Sequence, residues 1–150
     1  MITFKHQKVD WLIAVGPWQN EAAVKKRLGW RYWPLRMLNP QARHVVLFAP
    51  ANTMTIAIQK MPWGMYVDIF PIYVLDFAAS FEHYRLYKKT IDYRTMDYRA
   101  SFGGLFSCVE MAKQVLGIKN KMIFTPKQLE RELIKNAERF DYKEADPRRL

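Results

Sequence analysis

Apolar residues in this chain fall into short runs separated by polar turns, a pattern typical of strands joined by tight connections. Five segments have the composition of strands: residues 9–15, 43–49, 54–59, 65–70 and 81–88. The runs at 43–49 and 54–59 are separated by only a few residues, so we expect them to form an antiparallel hairpin. Residues 71–79 fit either a helical turn or a covering loop.

Three other segments have helical spacing and the residues that begin and end helices. Asn20 to Gly29 has an N-cap candidate, a basic last turn and a terminal glycine. Ser107 and Gly117 bracket a helix predicted over 108–116, and a capping box at Thr125 to Gln128 begins one predicted to reach Phe140. The pattern predicts an α+β fold in which an antiparallel sheet packs against a central helix, and Cys108 lies at the start of that helix.

Length and composition predict one compact domain. The chain has 150 residues, 50% apolar and 15% aromatic, enough for a hydrophobic core. We expect a single domain over residues 1–140 and a charged tail over 141–150 that is mobile or packs against a partner. No apolar run reaches the roughly 18 residues of a membrane span, and the N-terminal residues lack the layout of a signal peptide. We therefore expect a soluble protein, cytoplasmic or associated with a virion.

The chain is strongly basic, with 24 Lys and Arg against 14 Asp and Glu and a net charge of +10. Such a charge attracts nucleic acid, anionic lipid or cell-wall polymer, but the basic residues are scattered and form no recognised motif, so we favour a solvated surface. Trp30 to Arg36 interleaves aromatic residues with arginines, which can stack on bases. We favour packing against a core edge for this segment and do not expect nucleic acid as a partner.

The one cysteine and the three histidines define the candidate chemistry. A single cysteine allows no internal disulfide, and His6, His44 and His83 lack metal-ligand spacing, so we expect no metal and no cofactor. In the first turn of a helix, Cys108 would meet free backbone N–H groups that favour the thiolate. The alternative is that Cys108 is a small buried core residue, which is the commoner role of unpaired cysteine.

A base for this thiol is suggested by the hairpin. If Ala49 pairs with Met54, Gln59 lies directly opposite His44, and the two side chains share a face of the sheet. The glutamine could then hold one imidazole nitrogen and leave the other free to accept a proton. A register slip of one residue would place the partner on the other face. His83 is interpreted as a surface residue.

The order of these residues resembles a known family of hydrolases. His44 opening a strand, two further strands, Ser107-Cys108 opening a helix and the Thr125-Pro-Lys-Gln segment are similar to the circularly permuted NlpC/P60-like, papain-like cysteine hydrolases. That family includes lecithin:retinol acyltransferase-like proteins and short bacterial and phage proteins. The resemblance covers about residues 40 to 135. It implies a permuted papain-like fold, with Cys108 as nucleophile, His44 as base and Gln59 as the third catalytic group.

Three functions are compatible with the sequence. The first is a cysteine hydrolase or acyltransferase that attacks an amide or ester of a peptide or acyl substrate, for example a cell-wall peptide, through an acyl-thioester. The second is a non-catalytic structural or interaction protein on the same fold, for example a phage virion or assembly component with a protein partner. The third, and least favoured, is a nucleic-acid-binding module based on the charge and on Trp30 to Arg36.

Overall fold

The computed structural model describes residues 8–37, 42–93, 107–146 and 148. Within these ranges the elements are β1 Lys8–Gly16, α1 Glu21–Leu28, a 3₁₀ turn Gly29–Tyr32, α2 Trp33–Arg36, β2 His44–Ala51, β3 Met54–Met61, β4 Gly64–Phe70, α3 Val74–Ala79, β5 Arg85–Asp92, α4 Cys108–Leu116, α5 Pro126–Asn136 and β6 Glu138–Arg139.

The strands form one six-stranded sheet in the order β4-β3-β2-β1-β5-β6, and every neighbouring pair is antiparallel. The predicted α+β class with an antiparallel sheet is confirmed. The segment 71–79, which the sequence left open, contains α3. The fifth strand begins at Arg85 rather than at residue 81, because turn hydrogen bonds hold the residues before it, such as Tyr84 N–H to the Phe81 carbonyl at 2.9 Å.

The β2–β3 hairpin differs from the predicted register. Ala51 pairs with Met54 across a two-residue turn, in which Asn52 has a positive φ of 58°. The predicted pairing of Ala49 with Met54 is wrong because β2 continues to Ala51. The shift is by two residues, so every side chain keeps its predicted face, but Gln59 lies opposite Val46 and not opposite His44.

Helices cover both faces of the sheet, and alternate residues of β2 face different cores. Val45 and Leu47 belong to a cluster that also contains side chains of α4 and α5. Val46 and Phe48 belong to a second cluster that contains side chains of α3. Successive side chains of a strand point to opposite faces, so α4 and α5 lie on one face and α3 on the other.

The C-terminal region differs from its prediction in two ways. The last long helix, α5, ends at Asn136 rather than at Phe140, because Ala137 is extended (φ −133°, ψ 158°) and β6 then pairs with β5. Beyond β6, the Phe140 N–H donates to the Leu86 carbonyl at 3.0 Å, and Tyr142 packs against the second cluster. The start of the predicted tail therefore lies against the protein's own core. Among the described residues, no helix has both the length and the apolar character needed to cross a membrane.

Candidate functional site

Helix α4 begins at Cys108 and is bounded by the residues that the sequence indicated. The Ser107 side chain accepts a hydrogen bond from the Glu110 N–H at 3.1 Å, and Gly117 ends the helix in the left-handed conformation that favours glycine (φ 64°). The Cys108 side chain packs into the first cluster with Val45 and is only 9% exposed. The thiol is therefore part of the core and has little access to solvent.

Burial changes the acidity of this thiol in the direction opposite to the one predicted. Removal from water raises the pKa of Cys108 from 9.0 to about 11. Backbone hydrogen bonds from Val45, Cys108 and Val109, and the positive charge of Lys60, lower the pKa but do not outweigh burial. The expectation of a stabilised thiolate is therefore wrong, since the helix terminus acts as predicted but desolvation is the larger effect.

His44 is buried beside Gln59 and Trp18. Its Nε2 lies 3.3 Å from Gln59 Oε1, and its ring stacks on the Trp18 ring with centroids 4.2 Å apart. The predicted contact between His44 and Gln59 is thus present, although it runs diagonally across the ladder rather than between directly opposed residues. His44 is 3% exposed, and this burial lowers its pKa from 6.5 to about 4. The hydrogen bond with Gln59 raises the pKa, but its effect is smaller than that of burial.

The structure does not bring His44 to the thiol. Gln59 lies opposite Val46, which faces the second cluster, and His44 is two residues from Val46 on the same strand. Cys108 packs on the other face, with Val45. Because side chains alternate along a strand, the imidazole and the thiol point to opposite sides of the sheet. The catalytic pair of Cys108 with His44 that the sequence suggested is contradicted by this arrangement.

The other histidines do not supply a substitute within the described residues. The His83 side chain is 84% exposed, as the sequence predicted, and its Nε2 lies 3.4 Å from Glu82 Oε1. His6 lies outside the described residues. Across residues 8–37, 42–93, 107–146 and 148, no three His, Cys, Asp or Glu side chains are grouped so that they could hold a metal ion.

A cluster of charged residues that sequence reasoning missed lies between α5 and the β5–β6 edge. Glu130 is only 9% exposed and receives two hydrogen bonds from Arg85, one of them from Nη2 to Oε2 at 2.9 Å. The Tyr87 hydroxyl donates to Glu130 Oε1 at 2.7 Å, and Arg139 Nη1 donates to the Tyr87 oxygen at 3.1 Å. These four residues, with Ile134 and Ala137, line a cavity of about 550 Å³. The sequence signal that could have indicated this cluster is Glu130, a charged residue next to Leu129 on the buried face of α5.

The ionisation of this cluster is fixed by its contacts. Burial alone would raise the pKa of Glu130, but hydrogen bonds from Arg85 and Tyr87 outweigh it and hold that pKa below the usual value. The hydrogen bond to Glu130 raises the pKa of Arg85. The pKa of Tyr87 is also raised, mainly by burial and to a smaller extent by the Glu130 carboxylate. At neutral pH the cluster therefore contains a carboxylate, a neutral phenol and two guanidinium groups.

Among the described residues that expose large apolar side chains, those of the Trp30 to Arg36 segment and of β4 are grouped in sequence. In the Trp30 to Arg36 segment, Tyr32 is 5% exposed and packs with Trp18, but Trp30 and Trp33 are 84% and 66% exposed. Packing against a core edge therefore holds for Tyr32 and not for the two tryptophans. The second group is on β4, where every residue from Met65 to Ile69 is exposed.

Comparison with protein families, characterised proteins and solved structures found no match to this chain. The fold defines its class only as α+β with a six-stranded antiparallel sheet. Its resemblance to the permuted papain-like hydrolases stays a prediction from the sequence.

Proposed function

We propose that this protein is a non-catalytic interaction protein that binds an extended segment of a partner protein along the edge strand β4. The observation that carries the proposal is the exposure of β4. Met65, Val67 and Ile69 are 48%, 57% and 65% exposed, although such side chains are usually buried. Contiguous exposed apolar residues on a folded protein commonly mark a binding surface.

The position of β4 in the sheet favours a strand as the occupant. β4 is the end strand of the sheet and, in the described part of the chain, pairs with β3 alone. Its outer edge therefore presents backbone N–H and C=O groups that a second extended chain can bind. Added strands gain their affinity from these main-chain hydrogen bonds and their specificity from alternate side chains.

The sequence of β4 lacks the features that usually block such pairing. Proteins protect exposed edges with lysine, proline, bulges or very short strands. β4 is seven residues long, contains neither lysine nor proline, and has Asp68 as its only charged residue. Since the chain carries a net charge of +10, we expect the partner segment to combine an apolar alternating core with acidic flanks.

The state of Cys108 supports a non-catalytic role. A hydrolase of the permuted papain-like type needs an accessible thiolate beside its base, but this thiol is 9% exposed and His44 faces the other side of the sheet. The hydrolase or acyltransferase activity and its cell-wall peptide substrate stay predictions that would require a different base. Membership of a phage particle or its assembly machinery is one setting for the interaction role.

The experiment uses a synthetic peptide of about eight residues, within the usual length range of strands, with alternating valine and threonine between glutamate flanks. The peptide is titrated into the ¹⁵N-labelled full-length chain, and amide shifts and hydrogen-exchange protection are measured. We expect both to change along β4, because the added strand engages its free backbone groups.

Two substitutions make the test specific. Ile69→Lys introduces a charge on the edge strand, whereas Ile134→Lys makes the same change on α5 at nearly equal exposure, 65% against 64%. We expect Ile69→Lys to abolish binding and Ile134→Lys to preserve it. Binding that is unchanged in Ile69→Lys would refute the proposal. A wild-type dimer that Ile69→Lys dissociates would show that the occupant is a second copy rather than a partner protein.

A further inference from the structure

We propose that the cavity between α5 and the β5–β6 edge is a binding site for a carboxylate that carries a short apolar chain. Its walls are the charged residues Arg85, Glu130 and Arg139, the hydroxyl of Tyr87, and the apolar side chains of Ile134 and Ala137. The volume of about 550 Å³ lies within the roughly 300–1,000 Å³ typical of small-molecule sites. This inference is independent of the proposed role of β4.

The charge of the cavity favours an anion. Arg85 and Arg139 contribute two positive charges and Glu130 one negative charge, so the cluster has a net charge of +1. Glu130 has no unused carboxylate oxygen, since Arg85 and Tyr87 bind Oε1 and Arg85 also binds Oε2. A cationic ligand would therefore be repelled by the net positive charge and would have to compete with Arg85 for the carboxylate.

Arg139 is the group that would hold the anion. Among the described residues, the Arg139 side chain hydrogen-bonds only to the Tyr87 hydroxyl, through Nη1, and its guanidinium lies 5.1 Å from the centre of the Tyr87 ring. A guanidinium has five N–H donors in a fixed fork that matches the two oxygens of a carboxylate. The Tyr87 contacts thus orient Arg139 and leave donors for the ligand. A net charge of +1 matches a monoanion better than a phosphate dianion.

The apolar part of the cavity defines the rest of the ligand. Ile134 is 64% exposed at the rim, and Ala137 is half-buried where α5 ends. An aliphatic chain attached to the carboxylate would cover Ile134 and remove that apolar surface from water. A free short-chain acid and the C-terminal carboxylate of a peptide ending in leucine share this chemistry.

The test compares both sources of the carboxylate. Hexanoate, acetate, a short peptide with a C-terminal leucine carboxylate, and the same peptide as its C-terminal amide are titrated into the full-length chain and followed by NMR. We expect hexanoate to bind more tightly than acetate. If the peptide acid binds more tightly than hexanoate and the amide does not bind, the natural ligand is a chain terminus. If hexanoate binds more tightly than the peptide acid, the natural ligand is a free acid.

Matched variants locate the binding. Arg139→Gln should weaken hexanoate binding by about tenfold or more, because it removes a charged hydrogen-bond donor. Arg131→Gln removes the same charge from an exposed position on α5 and should leave binding unchanged. Ile134→Ser, which alters only a rim residue, should reduce the preference for hexanoate over acetate. The proposal is overturned if no carboxylate shifts the resonances of Tyr87, Ile134 or Arg139, or if Arg139→Gln and Arg131→Gln bind equally.

Discussion

Burial of His44 makes the stability of the fold depend on pH in a specific window. The pKa of His44 is about 4 in the folded protein against 6.5 for an unperturbed histidine. Between these values the unfolded chain binds the proton more readily, so stability falls as the pH falls through about 6.5 towards 4. Above this window the imidazole is neutral in both states and the fold has its full stability.

The size of the effect follows from the two pKa values. Each unit of difference corresponds to about 1.4 kcal/mol, and at about pH 5 most unfolded chains, but few folded ones, carry the proton. The free energy of unfolding should therefore be about 2 kcal/mol lower at about pH 5 than at about pH 7.5 through this residue alone. Such a loss is a large part of the stability of a small domain.

The assay is urea denaturation of wild type and His44→Gln at both pH values, followed by the fluorescence of the five tryptophans. All other ionisable groups are the same in both proteins, so the difference between the two pH dependences isolates His44. His83→Gln, which changes an exposed histidine, should behave as wild type. Equal pH dependence of wild type and His44→Gln, or an imidazole that titrates near 6.5 by NMR in the folded wild type, would show that burial of His44 does not cause the loss of stability.

Two further substitutions test how the elements are built. Gly16→Ala should destabilise the fold by about 1–3 kcal/mol in chemical denaturation, because its methyl group would clash with the Tyr84 ring. Gly64→Ala, whose methyl group would meet only Tyr66 at 3.7 Å, is the control and should change little. Thr125→Ala should cost about 1 kcal/mol, since Thr125 Oγ1 accepts from the Gln128 N–H at 3.2 Å at the start of α5; Thr125→Ser should keep the cap, and equal losses in both variants would argue against it.

Local signals correctly predicted where α1, α4 and α5 begin. Asn20, Ser107 and Thr125 each accept the backbone hydrogen bond expected of an N-cap. Capping depends on a few adjacent residues, so it can be read from one sequence. The end of α5 was missed because its last turn is replaced by pairing between β6 and β5, and that pairing depends on a strand about 50 residues earlier in the chain.

The candidate site could be predicted only in part, because it depends on which face of the sheet each element covers. The alternation of side chains along β2 and β3 correctly placed His44 and Gln59 on one face of the sheet, even though the register differs from the predicted one by two residues. Nothing in the local sequence indicated that α4 would cover the opposite face. The acidity of Cys108 was misjudged for a related reason, since the effect of the helix terminus is local whereas burial is set by the whole fold.

The reactivity of Cys108 depends on whether the thiol and the imidazole of His44 are separated as the sheet places them. Because its pKa is about 11 against 9.0 for a model thiol, Cys108 should contain about 100-fold less thiolate at neutral pH, and its burial should slow access further. Iodoacetamide labelling of the folded protein at about pH 7 is compared with a model thiol and with His44→Gln. We expect labelling at least about 100-fold slower than that of the model thiol and equal in the two proteins. Labelling that is faster than that of the model thiol, and slowed by His44→Gln, would show that the imidazole activates the thiol.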